Sequence, residues 1–446
     1  MGLALGVLVA ATSCGDKGGS SNADTSTGDT STSSTQTTTA ESSATSLDSS
    51  SGGETTTGAA ACGNGIIDPG ELCYGEAGMV MLGFSPGGLA VEDVTGDELR
   101  DLVVTDPDGG HVYVLAQAND HTFALGTEVP VGESPLGLLV VDVDADGEPD
   151  LVTSNSVSDS VSIVLGVGSG QFAAATSVLA PNSPIGLAAG DLDEDGNVDL
   201  VVTSFFDAGE AQVLLGDGAG GFAPGAATIV GQRPRNVALD DLDGDGHLDA
   251  VIAVENCFGS FGDPAAYCEP GIVAVLAGDG AGDLLAPTTT ALEEWMAEDV
   301  EVADVDGDGD SDVVAFARNC YIGGMEGYYC EPASGVIVLR GDGTLSLGAP
   351  VVYATATFPG YDVAIADLTA DGTPDLVVPI QGDGVAPGAV EVLLGDGTGV
   401  FASPAAYATD PGTNVVIAAD LDSDGAPDIV SSNIIAGTLS VLIAEP

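Results

Sequence analysis

The stretch Asp191-Leu192-Asp193-Glu194-Asp195-Gly196-Asn197-Val198-Asp199 is the clearest copy of a pattern that recurs seven times in the chain. The pattern is D-x-D-x-D-G-x-x-D, and it runs directly into an apolar segment, here Leu200-Val201-Val202. Its copies start 49, 49, 50, 63, 63 and 53 residues apart. A period in this range indicates one supersecondary unit that is repeated along the chain. The repeat therefore decides the expected architecture.

Five copies have the full pattern, with Asp at positions 1, 3, 5 and 9. They are Asp142, Asp144, Asp146 and Asp150; Asp191, Asp193, Asp195 and Asp199; Asp241, Asp243, Asp245 and Asp249; Asp304, Asp306, Asp308 and Asp312; and Asp420, Asp422, Asp424 and Asp428. Alternate carboxylates on a tight loop converge on one point, and glycine at position 6 allows the positive φ of a wrapped loop. Several anionic oxygen donors on a flexible loop favour Ca²⁺ over Mg²⁺. The alternative is a set of solvated acidic turns without metal.

Two copies depart from the pattern. The first (Asp93, Asp97 and Asp101) has Thr95 at position 3 and Glu98 in place of glycine, and the sixth (Asp367, Asp371 and Asp375) has Thr369 at position 3. Each therefore offers one carboxylate fewer, and the chain is expected to bind up to seven Ca²⁺ ions. None of the loops is an EF-hand, because an EF-hand needs Glu at position 12 and flanking helices.

Each unit reads as four short strands separated by turns. In the third unit, residues 185–190 lead into the acidic loop, residues 200–204 leave it, and residues 211–215 are followed by a glycine-rich turn and a fourth apolar segment. A four-stranded meander repeated seven times predicts an all-β, seven-bladed β-propeller over residues 78–446. The last unit stops after its third strand. We therefore predict that residues 78–84 supply the missing strand of the seventh blade and remove an exposed sheet edge.

The acidic loops and the turns Gly216–Phe222 and Gly395–Phe401 resemble the FG-GAP repeat family, also called VCBS repeats, which includes the N-terminal region of integrin α chains. The resemblance extends over residues 78–446. It implies the propeller fold and calcium binding at each matching loop, and it is weak as a guide to function.

The composition limits the partners of this chain. Six Lys or Arg residues face 69 Asp or Glu residues, which gives a formal net charge of −63. Such a charge disfavours nucleic acids and anionic membranes as partners and favours divalent cations. We expect a monomer that touches a membrane only through a lipid anchor.

The N-terminal region predicts export. Residues 2–12 form an apolar run that is too short to span a bilayer and is typical of an export signal, assigned to residues 1–14. The small residues before Cys14 resemble a bacterial lipobox, which would make Cys14 the lipidated residue of a surface or outer-membrane lipoprotein. Ordinary secretion is the alternative, because Ala11 replaces the usual Leu. Residues 15–61 contain 24 Ser or Thr and predict a disordered tether.

Three local cysteine pairs follow the tether. The segment from Cys62 to Cys73, within a motif assigned to residues 62–77, resembles the short cysteine-rich repeat of myxobacterial surface proteins, and this resemblance implies a Cys62–Cys73 bridge. Cys257 and Cys268 flank an insert in the fourth unit, and Cys320 and Cys330 flank one in the fifth. Local pairing in an exported protein indicates disulfides. Zinc is the alternative, but the pairs are widely spaced and have no neighbouring His.

Basic and aromatic residues gather around the fourth and fifth units, on the face expected to lie opposite the acidic loops. They are Arg233, Arg235, Tyr267, Trp295, Arg318 and Tyr329. Aromatic loops over an Arg cluster predict a binding patch for a glycan or a protein ligand. The alternative is that the aromatic side chains pack the inserts and the Arg residues neutralise acidic neighbours.

The sequence favours a cell-surface recognition or adhesion module over two alternatives. One is a purely structural envelope protein, and the other is a calcium-dependent polysaccharide-degrading enzyme. The tether and the propeller leave no room for a separate catalytic domain, so no enzyme and no catalytic residue are predicted. The tripeptide Arg340-Gly341-Asp342 spells an adhesion motif, but it occupies the same turn as Leu215-Gly216-Asp217, so its match to that motif is attributed to chance.

Overall fold

The structure is a computed structural model that describes residues 74–75, 77–118, 121–205, 209–258, 267–322, 328–356, 360–382 and 387–444. Seven four-stranded antiparallel sheets contain all but two of the strands, and these residues include no helix. No helix within these ranges could therefore cross a membrane. The predicted export signal, the tether, Cys14, Cys62 and Cys73 lie outside the described residues.

The strands of the first half follow the predicted meander. Strand β1 (Gly78–Met81) belongs to the last blade. Blade 1 contains β2 (Leu89–Glu92), β3 (Asp101–Asp106), β4 (His111–Gln117) and β5 (Phe123–Pro130); blade 2 contains β6 (Pro135–Val141), β7 (Asp150–Asn155), β8 (Ser160–Val164) and β9 (Thr176–Leu179); blade 3 contains β10 (Pro184–Gly190), β11 (Asp199–Ser204), β12 (Glu210–Gly216) and β13 (Phe222–Ile229).

The second half adds a small hairpin in blade 4. Blade 4 contains β14 (Pro234–Asp240), β15 (Asp249–Val254), β18 (Ile272–Leu276) and β19 (Thr288–Ala291), with the hairpin β16 (Cys257–Phe258) and β17 (Tyr267–Cys268) between β15 and β18; blade 5 contains β20 (Met296–Ala303), β21 (Asp312–Ile322), β22 (Tyr328–Leu339) and β23 (Val351–Ala354); blade 6 contains β24 (Ala364–Ala366), β25 (Asp375–Ile380), β26 (Gly388–Leu393) and β27 (Ala405–Thr409); blade 7 contains β28 (Thr413–Ala419), β29 (Asp428–Asn433) and β30 (Thr438–Leu442).

The blades form a closed ring. The first strands of neighbouring blades pack against each other all round, and this includes β28 of blade 7 against β2 of blade 1. Blade 7 has the order β1-β30-β29-β28, so the N-terminal strand completes the last sheet as predicted. It pairs from Gly78 opposite Val441 to Met81 opposite Thr438, and it is shorter than the predicted segment 78–84. Closure of this kind joins the two ends of the propeller within one sheet.

The apolar core lies between the blades. One cluster joins Val201 and Val213 of blade 3 to Ile252 of blade 4, and comparable clusters fill each of the other boundaries between neighbouring blades. The second strand of each blade is buried on both faces, which explains the consecutive apolar residues that follow its first Asp, such as Leu200-Val201-Val202. The fourth strand, such as β9, is largely exposed at the outer rim.

Candidate metal-binding loops and the opposite face

The seven acidic loops join strands 1 and 2 of their blades at one face of the ring. They are numbered by blade: loop 1 (residues 93–101), loop 2 (142–150), loop 3 (191–199), loop 4 (241–249), loop 5 (304–312), loop 6 (367–375) and loop 7 (420–428). In loop 3, Asp191 Oδ2 accepts the N–H of Gly196 at 3.0 Å, and Asp195 Oδ1 accepts the N–H of Asn197 at 2.9 Å. The other full loops repeat these two contacts. The carboxylates therefore fold the loop as well as lining it.

Position 4 of the loop is a feature that the sequence analysis missed. The residue there has a positive φ in every copy: Gly96, Ala145, Glu194, Gly244, Gly307, Ala370 and Ser423. Position 6 has the same property, including Glu98 of loop 1, whose φ is 71°. Left-handed backbone favours glycine, and three of the seven copies have glycine at position 4. This partial preference for glycine was the only feature of the loop sequences that indicated a positive φ at position 4.

The Asp at position 9 connects the loop to the third strand. Asp199 is fully buried, and it accepts the N–H of Leu192 at 2.9 Å and the N–H of Gly216 at 2.7 Å. The equivalent residue makes the same two kinds of contact in the other blades. Position 9 therefore has a structural role besides its predicted role as a metal ligand.

Burial raises the pKa of these position 9 carboxyl groups. The pKa rises to about 6 for Asp150, Asp249, Asp375 and Asp428, and backbone N–H donors oppose part of the shift. Neighbouring loop carboxylates add to it because like charges disfavour ionisation. A cation in the loop would act in the opposite direction.

The five full loops bring three carboxylates together closely enough to hold a cation. One oxygen from each member of a set lies within 4.8 Å of the others. The sets are Asp142, Asp144 and Asp146; Asp191, Asp193 and Asp199; Asp241, Asp243 and Asp245; Asp304, Asp306 and Asp308; and Asp420, Asp422 and Asp428. Among the described residues, loops 1 and 6 form no such set, which agrees with their departures from the pattern.

Buried oxygens without a hydrogen bond mark the same loops. Four carboxylate oxygens of these loops are buried and have no hydrogen-bond partner in the described part of the chain. They are Oδ1 of Asp191, Asp241 and Asp420 at position 1, and Oδ1 of Asp306 at position 3. A buried carboxylate oxygen without a partner is costly. A hard cation would satisfy it, so the residues present fit a Ca²⁺ ion.

The opposite face carries a buried network of charges between blades 4 and 5. Arg235 donates from Nε to Glu255 Oε1 at 2.7 Å, and Arg318 donates from Nε to Glu298 Oε1 at 2.9 Å. Arg235 also lies 3.3 Å from Glu298, and Arg233 lies 3.6 Å from Glu255. Burial opposes the charge of Arg235, but the two Glu residues raise its pKa overall. The three predicted Arg residues do gather, and each of them contacts Glu255 or Glu298, so two carboxylates offset part of the three positive charges.

Aromatic rings cover this network. The guanidinium of Arg235 lies 4.4 Å from the ring centroid of Phe205, and that of Arg318 lies 4.1 Å from the ring centroid of Tyr361. These distances fit cation–π contacts. Phe205 and Tyr361 come from blades 3 and 6, so four neighbouring blades meet here. Neither ring and neither Glu was predicted from the sequence.

A disulfide holds the hairpin of blade 4. Cys257 and Cys268 are bonded, which confirms that pair, and the ring of Tyr267 stacks on Phe258 at a centroid distance of 4.9 Å. Tyr267 is 50% exposed. Cys320 and Cys330 are opposite each other in the register of β21 and β22. Tyr329 lies in β22.

Trp295 lies beside the hairpin. It is partly buried and packs against the cluster between blades 4 and 5. The neighbouring Met296 places its Sδ 3.1 Å from Cys257 Sγ. Tyr267 and Trp295 are thus held by the hairpin and by the blade core respectively.

Comparison with known proteins agrees with the fold. The family described as FG-GAP-like repeat matches three overlapping segments, residues 93–153, 142–202 and 191–252. No curated protein matches the chain. The crystal structure of BBS1N in complex with ARL6DN, soaked with lead, is 13% identical, covers 84% of this chain and 97% of that chain, and gives a TM-score of 0.53.

Two further solved structures have a lower TM-score. The V. cholerae biofilm matrix protein Bap1 is 12% identical over 82% of this chain and 88% of that chain, with a TM-score of 0.40. A functionally unknown protein from Desulfotomaculum acetoxidans is 10% identical over 77% of this chain and 94% of that chain, with a TM-score of 0.49. The likeness to the BBS1N complex concerns the fold alone. The chain is a seven-bladed β-propeller, and its residues 93–252 match the FG-GAP-like repeat.

Proposed function

We propose that this protein is an exported, calcium-binding β-propeller that serves as a cell-surface recognition or adhesion module for a glycan or protein ligand. Its acidic loops bind Ca²⁺ and stabilise the ring, and the opposite face presents the ligand-binding surface. It acts as a monomer, without nucleic acid as a partner, and it reaches the membrane only through a lipid on Cys14. No enzymatic activity is proposed.

The observation that carries the calcium proposal is the set of buried carboxylate oxygens without a hydrogen bond in four of the five full loops. Each lies in a loop whose three carboxylates converge within 4.8 Å. The carboxylates at positions 1 and 3 hold the ion in every full loop, together with position 5 in loops 2, 4 and 5 and with position 9 in loops 3 and 7. A bound Ca²⁺ offsets the repulsion between the loop carboxylates. This repulsion is about 4 kcal/mol for each pair of charges that lie about 4 Å apart at an effective dielectric of about 20.

The recognition surface is proposed around the hairpin of blade 4. Tyr267 is half exposed on a disulfide-held strand, and Phe258 supports its ring. An exposed, rigid aromatic ring suits stacking on a sugar or packing against a protein ligand at low entropic cost. Trp295 and Arg233 extend this surface, and Tyr329 of β22 is included in the proposal on the basis of the sequence. Arg235 and Arg318 support it from below, because both are engaged by Glu255 and Glu298.

Calcium binding is tested by thermal unfolding and calorimetric titration of the purified chain. Added Ca²⁺ should raise the melting temperature, and Asp241→Asn should lower the number of bound ions by one. An Asp342→Asn variant is the matched control, since Asp342 lies in a neighbouring turn outside the loops. A melting temperature that does not respond to Ca²⁺ would refute this part of the proposal.

Recognition is tested by a binding screen against glycans and extracellular matrix proteins, in Ca²⁺ and in chelator. Tyr267→Ala should weaken binding at least tenfold, because it removes an exposed aromatic contact. Leu179→Ala, which alters an exposed residue at the outer rim of blade 2, is the control. Absence of binding by the folded protein under both conditions would favour the structural envelope role instead.

A further inference from the structure

Arg340 forms a salt bridge with acidic loop 5. It follows β22 in the turn between strands 3 and 4 of blade 5, and its Nη1 donates to Asp306 Oδ2 at 2.8 Å. Its Nη2 donates to the carbonyl of Thr398 in blade 6 at 2.5 Å. One guanidinium thus joins position 3 of loop 5 to the next blade. The adhesion-like tripeptide therefore has a structural explanation for its first residue.

The other blades have an apolar residue at this place. Leu165 and Leu215 occupy the equivalent turns of blades 2 and 3. A Cβ added to Gly282 of blade 4 would lie 2.8 Å from Leu215, and a Cβ added to Gly399 of blade 6 would lie 2.8 Å from Arg340 Nη2. Leucine and arginine therefore fill the same space against the next blade. What Arg340 adds is a positive charge beside the loop.

The contact leaves room for a metal ion. Arg340 uses Oδ2 of Asp306, whereas Oδ1 of Asp306 is buried without a hydrogen-bond partner among the described residues. Asp304, Asp306 and Asp308 still converge within 4.8 Å. The guanidinium therefore neutralises part of the loop charge without occupying the position between the carboxylates.

We propose that Arg340 is a built-in counter-ion of loop 5. It holds Asp306 in place and reduces carboxylate repulsion before metal binds, so loop 5 depends less on Ca²⁺ than loops 2, 3, 4 and 7. Once the ion is bound, the same charge opposes it. This inference rests on the proposed calcium binding and concerns a positioning residue of one loop. We therefore expect that removing the guanidinium lowers the stability of the metal-free protein and raises the affinity of loop 5 for Ca²⁺.

The test uses Arg340→Leu, which installs the residue that blades 2 and 3 already have. In chelator, this variant should melt about 2 °C below the wild type. In saturating Ca²⁺ the two should melt together, and the affinity of loop 5 should tighten about threefold. The reverse variant, Leu215→Arg, should make loop 3 less dependent on Ca²⁺. Asp342→Asn, in the same turn, should change neither quantity.

A double-mutant cycle isolates loop 5. Asp308→Asn removes one of its carboxylates, so the calcium dependence of the Arg340→Leu effect should vanish in the double variant. An equal loss of melting temperature in chelator and in Ca²⁺ would overturn the inference, since it would reduce Arg340 to a packing role. A gain of one bound ion in Arg340→Leu would also overturn it, because Arg340 would then replace the metal. If the wild type fails to respond to Ca²⁺, the proposed calcium function falls and the inference with it.

Discussion

Blades 1–3 and blades 4–6 are joined at their innermost strands by different chemistry. In blades 1–3, a glycine of the first strand donates its N–H to a hydroxyl of the second strand, as Gly137 does to Ser154 Oγ at 2.9 Å. In blades 2 and 3 the same hydroxyl donates to a carbonyl of the next blade, and Ser154 Oγ reaches the carbonyl of Ile185 at 2.6 Å. We call this arrangement the hydroxyl seam. It is neutral throughout.

In blades 4–6, the glycine is replaced by Asn236, Asp299 and Asp362, and the hydroxyl by Ala253, Phe316 and Pro379. Asn236 Nδ2 donates to Asp299 Oδ1 of the next blade at 2.5 Å. Asp299 Oδ2 accepts the N–H of Val363 at 2.9 Å, and Asp362 Oδ2 accepts the N–H of Val416 at 2.7 Å. We call this the acidic seam.

The difference shows that neighbouring blades of one ring can be joined by either arrangement. One arrangement requires glycine, and the other requires a longer polar side chain at the same position. The hydroxyl seam needs glycine, because a Cβ on Gly137 would lie 2.5 Å from the carbonyl oxygen of Ile185. The acidic seam reaches across with a longer side chain, and it buries carboxylates that carry a desolvation cost. The FG-GAP-like match spans residues 93–252, so it includes the hydroxyl seam of blades 2 and 3 and Asn236 of the acidic seam, and it stops within blade 4.

The largest effect is expected where the hydroxyl seam admits no side chain. Gly137→Val should lower the free energy of unfolding by about 3 kcal/mol or more, because the obstacle is backbone that cannot move aside. Denaturant unfolding measures the loss. Gly78→Ala is the control, since its added Cβ would meet only the carbonyl oxygen of Val441 at 3.5 Å. Equal stability of both variants would contradict the glycine requirement.

The second comparison removes one polar group from each seam. Asp299→Ala leaves two buried donors, Asn236 Nδ2 and the N–H of Val363, without their acceptor, and it should cost about 3 kcal/mol. Thr203→Val leaves the N–H of Gly186 without its acceptor, and it should cost about 2 kcal/mol. Equilibrium unfolding of both variants ranks the seams. A smaller loss for Asp299→Ala would mean that the acidic seam contributes less than its contacts suggest.

The acidic seam should also make stability depend on pH. Burial raises the pKa of Asp299 to about 6, and burial and Asp299 together raise the pKa of Asp362. Both pKa values exceed the unfolded value of about 3.9. The stability that Asp299 contributes is therefore complete below about pH 4 and is lost as pH rises through about 6, and the contribution of Asp362 is lost in the same direction.

Asp362→Asn keeps an oxygen acceptor for Val416 but cannot ionise, so it should stabilise the protein near pH 7 relative to the wild type and leave it unchanged near pH 4. Thermal unfolding across this pH range, at one fixed calcium activity, makes the measurement. Because the variant and the wild type are compared at the same calcium activity, the titration of the acidic loops affects both equally and drops out of the difference. A parallel pH profile for variant and wild type would exclude the seam as the titrating element.

The smallest effect concerns a departure from the pattern inside the segment that matches the FG-GAP-like repeat, residues 93–252. Glu98 has a φ of 71° at the position where full loops have glycine. Glu98→Gly should raise the free energy of unfolding by about 0.5 kcal/mol, because glycine adopts this backbone without strain. Gly196→Ala in loop 3, whose φ is 90°, should have the opposite sign. A destabilised Glu98→Gly variant would show that the Glu side chain contributes more than its backbone strain costs.

The periodic Asp pattern predicted the architecture because it repeats both a turn and a strand. The loops between strands 1 and 2, the strands after each Asp at position 9 and the closing strand β1 all lie where the pattern placed them. The five full loops are also the ones whose carboxylates converge. Short-range spacing is sufficient here, because a nine-residue loop brings its own side chains together.

Residues far apart in the sequence were not predictable in the same way. Nothing local to Arg235 indicates Phe205 or Glu298, which come from neighbouring blades. The role of Arg340 depends likewise on Asp306, 34 residues earlier, and on Thr398, 58 residues later.

The sequence by itself determined the repeat, the number of blades, the acidic loops and the closure, because each follows from contacts within one repeat or from the count of repeats. Only the tertiary structure decided how each seam is bonded across the blades, which arginines contact buried carboxylates, and which loop is joined to an arginine of the turn between strands 3 and 4. Those features arise between blades, where side chains some fifty residues apart meet, and the pattern within one repeat does not encode them.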